Sequence, residues 1–321
     1  FVDIDDDLEL DPGERFVGPI PVDAREHANP RIQIPLEVEG EAPDPTFVID
    51  ARPYRVGDVV SIDRSHFGEE SGMDGVWQPV RWGTRYQPGI FFLETHEPAK
   101  TPVLFIHGRA GYPGEFKGMI ERLDHTRFQA WVLHYPSGAP VDIVARWVAR
   151  MLGEVRSRFR PRPICLVAHS MGGLVAREAI NVMQERSPHA LLGGFVTLAS
   201  PLNGVGSAET GVRMSPGVVP AWRDISPRSP LLQHLYRRPL DGLRYDLGFA
   251  FHEDQGDDQV VAIRSQLRAE AQAEAFRVRG FETTHTGILT ADASWQFLSE
   301  ALDAAYDLAL PVVEHGDHAD E

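Results

Sequence analysis

The sequence predicts an α/β fold in which a mostly parallel sheet carries helices on both faces. Three observations lead to this prediction. From about residue 100, short apolar runs alternate with stretches of helical periodicity, as in consecutive βαβ units. The stretch 141–159 has an apolar stripe with the period of an α-helix. The apolar run 164–168 leads through a turn of small residues directly into another helical pattern.

The elements of the main domain, predicted at 99–313 and followed by a polar tail at 314–321, can be placed in chain order. Apolar runs give the strands, and three- or four-residue spacing gives the helices. The predicted elements are strand 103–106, helix 114–123, strand 131–133, helix 141–159, strand 164–168, a helix from Leu174, strands 195–198, 247–251 and 276–278, and helix 293–310.

Residues 1–98 differ in character and are predicted to form a proline-rich, partly β N-terminal extension. Seven prolines lie between residues 12 and 45, too many for helices, and β-like runs occur at 47–49 and 59–62. The acidic segment 3–7 is expected to be solvated. The extension is interpreted either as a structural layer on the main domain or as a module that binds a surface or partner.

Composition and charge narrow the classes of partner. The chain has 321 residues and a net charge of −16, which makes a nucleic-acid backbone an unfavourable partner. No run of about 18 apolar residues occurs, so no membrane-spanning segment is expected, while peripheral membrane contact stays open. The oligomeric state is open as well.

The compartment cannot be read from the cysteine content. The single cysteine, Cys165, lies within an apolar run and is expected to be a small buried hydrophobe without an intrachain disulfide. Because the chain begins at Phe1 rather than Met, we expect an N-terminal segment to have been removed or trimmed. A cytoplasmic and an extracytoplasmic location therefore both stay open.

The turn at Ser170 is the most informative stretch of the sequence. The apolar run continues into Ala168-His169-Ser170-Met171-Gly172-Gly173, and helical spacing begins at Leu174. A serine on a tight strand-to-helix turn points its hydroxyl away from the sheet, and small neighbours let the two backbones approach. The alternative is an ordinary βα turn in which the serine caps the helix.

A nucleophilic serine requires a base and a carboxylate that orients the base. In a doubly wound sheet such groups gather beyond the carboxyl ends of the strands. His285 follows the strand 276–278 and is predicted to be the general base. Asp258, after the strand 247–251, is the predicted carboxylate, with Asp257 as its rival. The alternatives for this acidic loop are simple solvation or a Ca²⁺ site.

Backbone N–H groups that could stabilise an oxyanion are expected on both sides of the serine. The glycine-rich segment 105–112 follows the first strand of the main domain and can direct an N–H towards Ser170. We assign the oxyanion hole to the N–H groups of Met171 and Arg109. A plain βα connection is the alternative. Structural roles are expected for three further histidines that follow strands: His107, His134 and His169.

Five blocks of sequence occur in a characteristic order: 103–108, 168–173, 197–204, 258–261 and 284–289. Together they resemble bacterial α/β-hydrolases of the lipase and esterase type, in particular the branch with triacylglycerol lipases and GPI inositol-deacylase-like proteins. The resemblance covers roughly residues 90–310. It implies an α/β-hydrolase fold and hydrolysis of carboxylic esters through an acyl-enzyme on Ser170, without a cofactor or metal. The chain departs from the family pattern at Ala168 and Gln259, where glycine is usual.

The segment 201–244 interrupts the alternation of strands and helices. In the family that this sequence resembles, such an insertion covers the active site, and Trp222, Leu231 and Leu232 are predicted to contact substrate there. The expected substrate is a small-molecule or lipid ester with an apolar acyl group. Packing of these side chains onto the domain is the alternative.

Two other functions are compatible with the same residues. An acyltransferase would pass the acyl group of the acyl-enzyme to an alcohol or thiol instead of water. A non-catalytic hydrolase-like binding protein would keep the fold without turnover, although it would not require the serine, the histidine and the acids together.

Overall fold

The computed structural model has two compact units, Phe1–Arg55 and Val56–Glu321. In the first unit, β1 (Arg31–Pro35) pairs antiparallel with β2 (Thr46–Asp50). The predicted acidic segment and the predicted polar tail lie outside the described residues. The structure describes residues 31–35, 46–50, 54–186, 191–214, 218–240, 242–253 and 256–308.

A larger sheet of eight strands organises the rest of the chain. Its strands are β3 (Arg55–Val59), β4 (Gly89–Phe92), β5 (Thr101–Ile106), β6 (Phe128–His134), β7 (Ile164–His169), β8 (Leu192–Leu198), β9 (Tyr245–Phe251) and β10 (Arg277–Glu282). Their order is β10-β9-β8-β7-β5-β6-β4-β3. The strands from β10 to β6 are parallel, and β4 runs antiparallel to β6. The predicted mostly parallel α/β architecture is confirmed.

Helices connect and cover these strands. They are α1 (Glu69–Trp77), α2 (Pro79–Tyr86), α3 (Lys117–Ile120), α4 (Val141–Phe159), α5 (Gly172–Arg186), α6 (Gly206–Met214), α7 (Pro220–Asp224), α8 (Pro230–His234), α9 (Ile263–Gln266), α10 (Ala269–Glu274) and α11 (Asp292–Leu308). None of those described combines the length and the apolar content of a membrane span.

The central strands are buried along their whole length. Every residue of β5, β6 and β7 is buried, as expected for a parallel sheet that is covered on both faces. Cys165, in β7, is 1% exposed, and burial raises the pKa of its thiol to about 12. The thiol therefore stays protonated and is a packing group, as the sequence suggested.

Part of the segment 1–98, predicted to be an N-terminal extension, belongs to the second unit. The structure divides the chain after Arg55, and β4 pairs with β6 inside the larger sheet. Helices α1 and α2 also precede residue 98. Glycines in α1 disguise its helical pattern: a Cβ at Gly72 would lie 2.3 Å from the carbonyl oxygen of Ala110. These glycines allow close packing at the expense of helix propensity.

The predicted helix at 114–123 is shorter in the structure. A 3₁₀ turn at Pro113–Phe116 leads into α3, which spans only one turn. The apolar side chains of this segment are nevertheless buried, including Phe116 and Met119. The periodic pattern therefore identified the buried face but not the extent of regular helix.

Close packing of β5 against the start of α5 places the turn between β7 and α5. A Cβ at Gly172 would lie 2.4 Å from the carbonyl oxygen of Ile106 and 2.5 Å from that of His107. Both contacts are to backbone atoms, which cannot rotate away. Glycine at this position is therefore a requirement of the packing between strand and helix.

We predict that Gly172→Ala destabilises the fold by about 1–3 kcal/mol, because the added methyl group overpacks a rigid backbone contact. Gly153→Ala is the matched control, since Gly153 lies exposed in α4 with nothing within 4 Å of the added Cβ. That control should stabilise the fold by about 0.5–1 kcal/mol. Urea denaturation gives both free energies of unfolding, and a Gly172→Ala variant as stable as the wild type would refute the packing argument.

Candidate active site

Ser170 lies on a tight turn between β7 and α5. Its φ of +53° is in the left-handed region, which non-glycine residues seldom adopt. The turn is fixed by two hydrogen bonds: the Ser170 N–H donates to the Leu198 carbonyl oxygen at 2.9 Å, and the Gly173 N–H donates to the Ser170 carbonyl oxygen at 3.0 Å. The surrounding fold thus holds a backbone conformation that costs free energy locally.

The hydroxyl of Ser170 forms a hydrogen bond with His285. The distance from Ser170 Oγ to His285 Nε2 is 2.9 Å, and His285 Nδ1 lies 2.7 Å from Asp258 Oδ2. Ser170 and His285 are each 8% exposed, and Asp258 is fully buried. The structure therefore brings together the predicted serine, histidine and first-choice acid, although 115 residues separate Ser170 from His285 in the sequence.

Asp258 is held in place by donors from its own loop. Its Oδ1 accepts hydrogen bonds from the N–H groups of Val260 and Val261, at 3.0 and 2.6 Å, and Gln266 Nε2 lies 3.3 Å from Oδ2. The backbone contributes as well, since the His285 N–H donates to the Asp258 carbonyl oxygen at 2.9 Å. The loop that carries the acid and the loop that carries the histidine are thereby joined directly.

Asp257, the rival acid, occupies a different environment. Its Oδ1 accepts a hydrogen bond from the N–H of Gln259 at 2.9 Å, and its backbone forms an isolated bridge with Ala262. Gln259 has a φ of +77°, so it takes the conformation for which the related motif uses glycine. Asp257 therefore stabilises the turn next to Asp258 and does not contact His285.

The charge state of His285 follows from its surroundings. Burial lowers the pKa of His285 by disfavouring the imidazolium, the hydrogen bond with Asp258 opposes this effect, and His169 adds to the lowering. Near neutral pH the ring is therefore uncharged. Because Asp258 accepts the proton of Nδ1, Nε2 carries the lone pair and can accept the Ser170 proton.

His169 contacts the backbone of His285, and Glu115 contacts His169. His169 Nε2 is 2.9 Å from the carbonyl oxygen of His285, so this nitrogen must carry a proton and donate it. On the other side of the ring, Nδ1 lies 3.5 Å from Glu115 Oε1. His169 is 4% exposed. It therefore fixes the backbone of His285, which agrees with the structural role expected for it.

The other two histidines lie in packed surroundings. His107 Nδ1 lies 3.0 Å from the Gly108 carbonyl oxygen, and its ring stacks on Tyr135 with centroids 4.3 Å apart. His134 lies among aromatic rings, and its ring centroid is 4.5 Å from that of Trp82. Burial lowers the pKa of both imidazoles, which therefore stay neutral.

Two backbone N–H groups next to Ser170 are available to a ligand. Within the described part of the chain, neither the Met171 N–H nor the Arg109 N–H has a hydrogen-bond partner. The next N–H, of Ala110, is occupied by Ser137 Oγ at 2.9 Å. The segment approaches the serine closely, since a Cβ at Gly108 would lie 2.6 Å from the Cβ of Ser170. Such free donors suit a developing oxyanion.

Two cavities meet at Ser170. The larger, of 640 Å³, is called here the Glu115 cavity, and its walls include Glu69, Tyr112, Glu115, His169, Thr284 and Thr286. The smaller, of 190 Å³, is called the Trp222 cavity, and its walls include Val205, Ala208, Gly211, Trp222, Ile225 and Val261. Ser170 and Arg109 contribute to both.

The structure separates the three residues predicted to contact substrate. Trp222 lines the Trp222 cavity, whereas Leu231 and Leu232 line neither cavity. Leu232 is 1% exposed and lies in α8, where its N–H donates to Ser229 Oγ. The burial of Leu232 favours the packing alternative for that residue, and substrate contact by Leu231 stays a prediction.

Sequence reasoning missed Glu115 and Gln266. Glu115 lies in the 3₁₀ turn after β5, and Gln266 in the short helix α9, so neither is adjacent to a recognised motif. The sequence offered no local signal for either, because their proximity to Asp258 and His169 arises only from the fold. Among the described residues, no group of three histidine, cysteine, aspartate or glutamate side chains is arranged to hold a metal ion.

Comparison with known proteins gives the family. Residues 103–320 match the model of a family described as the alpha/beta hydrolase family, and this range is more than half of the chain. The chain belongs to the alpha/beta hydrolase family, and a hydrolase role is supported. None of the curated proteins matches the sequence significantly.

Solved structures with a similar fold include a lipase. The mature form of lipase BlEst2 from Bacillus licheniformis is 15% identical, with a TM-score of 0.50; the match covers 66% of this chain and 97% of that one. The product of gene lin2722 from Listeria innocua is 17% identical, with a TM-score of 0.48 and coverages of 64% and 94%. At 15% identity, the likeness to the first of these supports the fold alone.

We predict that the imidazole of His285 titrates below about 6.5, the value of an unperturbed histidine, because it is buried. Asp258→Asn should lower the midpoint further, since the carboxylate stabilises the imidazolium. Asp257→Asn is the matched control and should leave it unchanged. Nitrogen-detected NMR of the ring during a pH titration measures the three midpoints. A midpoint above 6.5, or one that Asp258→Asn does not move, would contradict this assignment.

Proposed function

We propose that this protein is a serine hydrolase that cleaves carboxylic esters through an acyl-enzyme on Ser170. The observation that supports this most directly is the continuous hydrogen-bonded line from Ser170 Oγ through His285 to Asp258 Oδ2. In this proposal Ser170 is the nucleophile, His285 the general base and acid, and Asp258 the carboxylate that orients the imidazole.

In the acylation step, Ser170 Oγ attacks the ester carbonyl carbon while His285 Nε2 takes the hydroxyl proton. The electron pair of the carbonyl moves onto its oxygen, and the imidazolium is stabilised by the buried carboxylate of Asp258. When the tetrahedral intermediate collapses, the bond to the alcohol oxygen breaks and that oxygen takes the proton from Nε2. The alcohol leaves, and the acyl group remains on Ser170.

We assign stabilisation of the oxyanion in the tetrahedral intermediate to the N–H groups of Met171 and Arg109, which would donate hydrogen bonds to it. The support is that these donors are free and flank Ser170. Donors that are fixed before the reaction stabilise developing charge without reorganisation, and one of them is typically worth about 10²–10³ in rate.

Deacylation repeats the sequence with water. The water oxygen attacks the acyl carbon, His285 Nε2 takes one of its protons, and Ser170 Oγ leaves with that proton when the intermediate collapses. The products are a carboxylic acid and the free serine. These steps need only the proton transfers between Ser170, His285, water and the alcohol, while Asp258 orients the imidazole and stabilises its charged form.

An apolar acyl group is proposed for the substrate. The support is the Trp222 cavity, whose walls next to Ser170 are mostly aliphatic and aromatic. Apolar pockets with a few polar groups at the reacting centre are typical of small-molecule sites. The helices α6 and α7 contribute these walls, in agreement with a covering role for the segment 201–244.

We predict that Ser170→Ala lowers kcat/KM for p-nitrophenyl butyrate by at least about 10³ and abolishes covalent labelling by an alkyl fluorophosphonate, because the attacking oxygen is removed. Ser207→Ala is the matched control: Ser207 also lines the Trp222 cavity, but it is exposed and makes no hydrogen bond with His285. Spectrophotometric assays and intact-mass measurement give both results. Undiminished turnover by Ser170→Ala, or labelling at another residue, would overturn the proposal.

A further inference from the structure

His285 borders only one of the two cavities at Ser170. It lines the Glu115 cavity and not the Trp222 cavity. In ester cleavage the proton on His285 Nε2 goes to the oxygen of the departing alcohol, so this oxygen must lie on the side of the imidazole. The alcohol part of the ester therefore lies in the Glu115 cavity.

The positions of the two proposed oxyanion donors place the acyl group in the other cavity, the Trp222 cavity. Met171 lines the Trp222 cavity but not the Glu115 cavity. Arg109 lines both cavities. In the bound ester, the carbonyl oxygen accepts hydrogen bonds from these N–H groups, and the alcohol oxygen points to His285. The acyl chain must then extend into the Trp222 cavity.

On these grounds we propose that the two cavities divide the ester between them and so define the substrate. The Trp222 cavity takes a short apolar acyl group, and the Glu115 cavity takes an alcohol that bears further hydroxyl groups. This inference rests on the proposed function and specifies its substrate class.

The length of the acyl group follows from the Trp222 cavity. Its volume is 190 Å³, and at about 30 Å³ for a water-sized group it holds about six non-hydrogen atoms. Ala208 and Ile225, 7% and 5% exposed, form its buried wall, and the exposed residues Ser207 and Val260 lie on its open side. The ring of Trp222 packs on Gly211, where a Cβ would lie 3.0 Å from the ring. Butyryl to hexanoyl groups fill this space, and a longer acyl chain would extend beyond it.

The polarity of the alcohol follows from Glu115. Its side chain lines the Glu115 cavity and is 16% exposed. Its Oε1 is buried and accepts no hydrogen bond from any described residue, although His169 Nδ1 lies 3.5 Å away. Both carboxylate oxygens lie next to Gly111, where a Cβ would be only 2.9 Å from each, so a side chain at that position would displace the carboxylate. Where the side chain borders the cavity, its carboxylate can accept a hydrogen bond from a hydroxyl group of the substrate.

Further polar groups line the same cavity. Thr284 and Thr286 line the same cavity and can donate or accept through their hydroxyls. Burial raises the pKa of Tyr112, and the charges of Glu115 and Glu69 raise it further, so its phenol keeps its proton. A wall of this kind suits an alcohol with several hydroxyls better than an alkyl alcohol, whose burial would leave these groups unpaired.

The acyl side is tested by filling the Trp222 cavity with Ala208→Phe. The kcat/KM ratio of p-nitrophenyl hexanoate to p-nitrophenyl acetate should fall at least about tenfold, because the longer chain loses its space. The ratio between two alcohols at constant butyryl group should stay within about threefold of the wild type. The first ratio reports on acyl binding and the second on alcohol binding.

The alcohol side is tested with glyceryl monobutyrate and pentyl butyrate, which have the same acyl group and alcohols of similar size. The wild type should prefer the glyceryl ester at least about tenfold, the discrimination that a hydrogen bond to a charged acceptor provides. Glu115→Met, which keeps the side-chain length, should bring the ratio near one. Because both esters share His285, any disturbance through His169 cancels in this ratio.

Labelling by an alkyl fluorophosphonate separates the two levels of the account. If Ser170 does not react, the proposed function fails, and this inference fails with it. If Ser170 reacts, a wild-type preference for pentyl butyrate, or an Ala208→Phe variant that changes the alcohol ratio instead of the acyl ratio, overturns the inference alone. The inference is supported if Ala208→Phe changes only the ratio between acyl groups and Glu115→Met changes only the ratio between alcohols.

Discussion

The strained turn at Ser170 is the constraint on which the site depends. A serine with φ +53° exists there because β5, β7 and β8 surround it: Leu198 accepts its N–H, and Gly172 lets the backbone of β5 approach to contact distance. The same turn directs Oγ to His285 Nε2 and leaves the next N–H free. The proposed nucleophile and one proposed oxyanion donor thus arise from one backbone conformation, whose cost the buried sheet offsets.

The remaining groups reach Ser170 because parallel strands end at a common edge. The loops after β9 and β10 carry Asp258 and His285, and a backbone hydrogen bond joins them. His169, next to Ser170 in the same turn, then fixes the carbonyl of His285. Each member of the constellation is therefore positioned by main-chain contacts as well as by its side-chain partners, which is the preorganisation that catalysis requires.

The sequence predicted the parts of this structure that have local signals. Buried strands such as 103–106 and the stripe of α4 are visible as apolar periodicity, and the turn at Ser170 has a recognisable pattern of small residues. Elements whose residues serve tertiary packing were missed: Gly72 makes α1 look irregular, and β4 is too short to stand out. Glu115 could not be found, since only the folded chain brings it to His169. The division between the two cavities likewise has no trace in the sequence.

The most direct test of the central claim is whether Ser170 and His285 act as a unit. We would measure kcat/KM for p-nitrophenyl butyrate with Ser170→Ala, with His285→Ala and with the double variant, each checked for folding by circular dichroism. If one hydrogen-bonded unit performs the chemistry, the double variant should be within about threefold of either single variant. Losses that multiply would mean that the two residues act independently, and would contradict the mechanism.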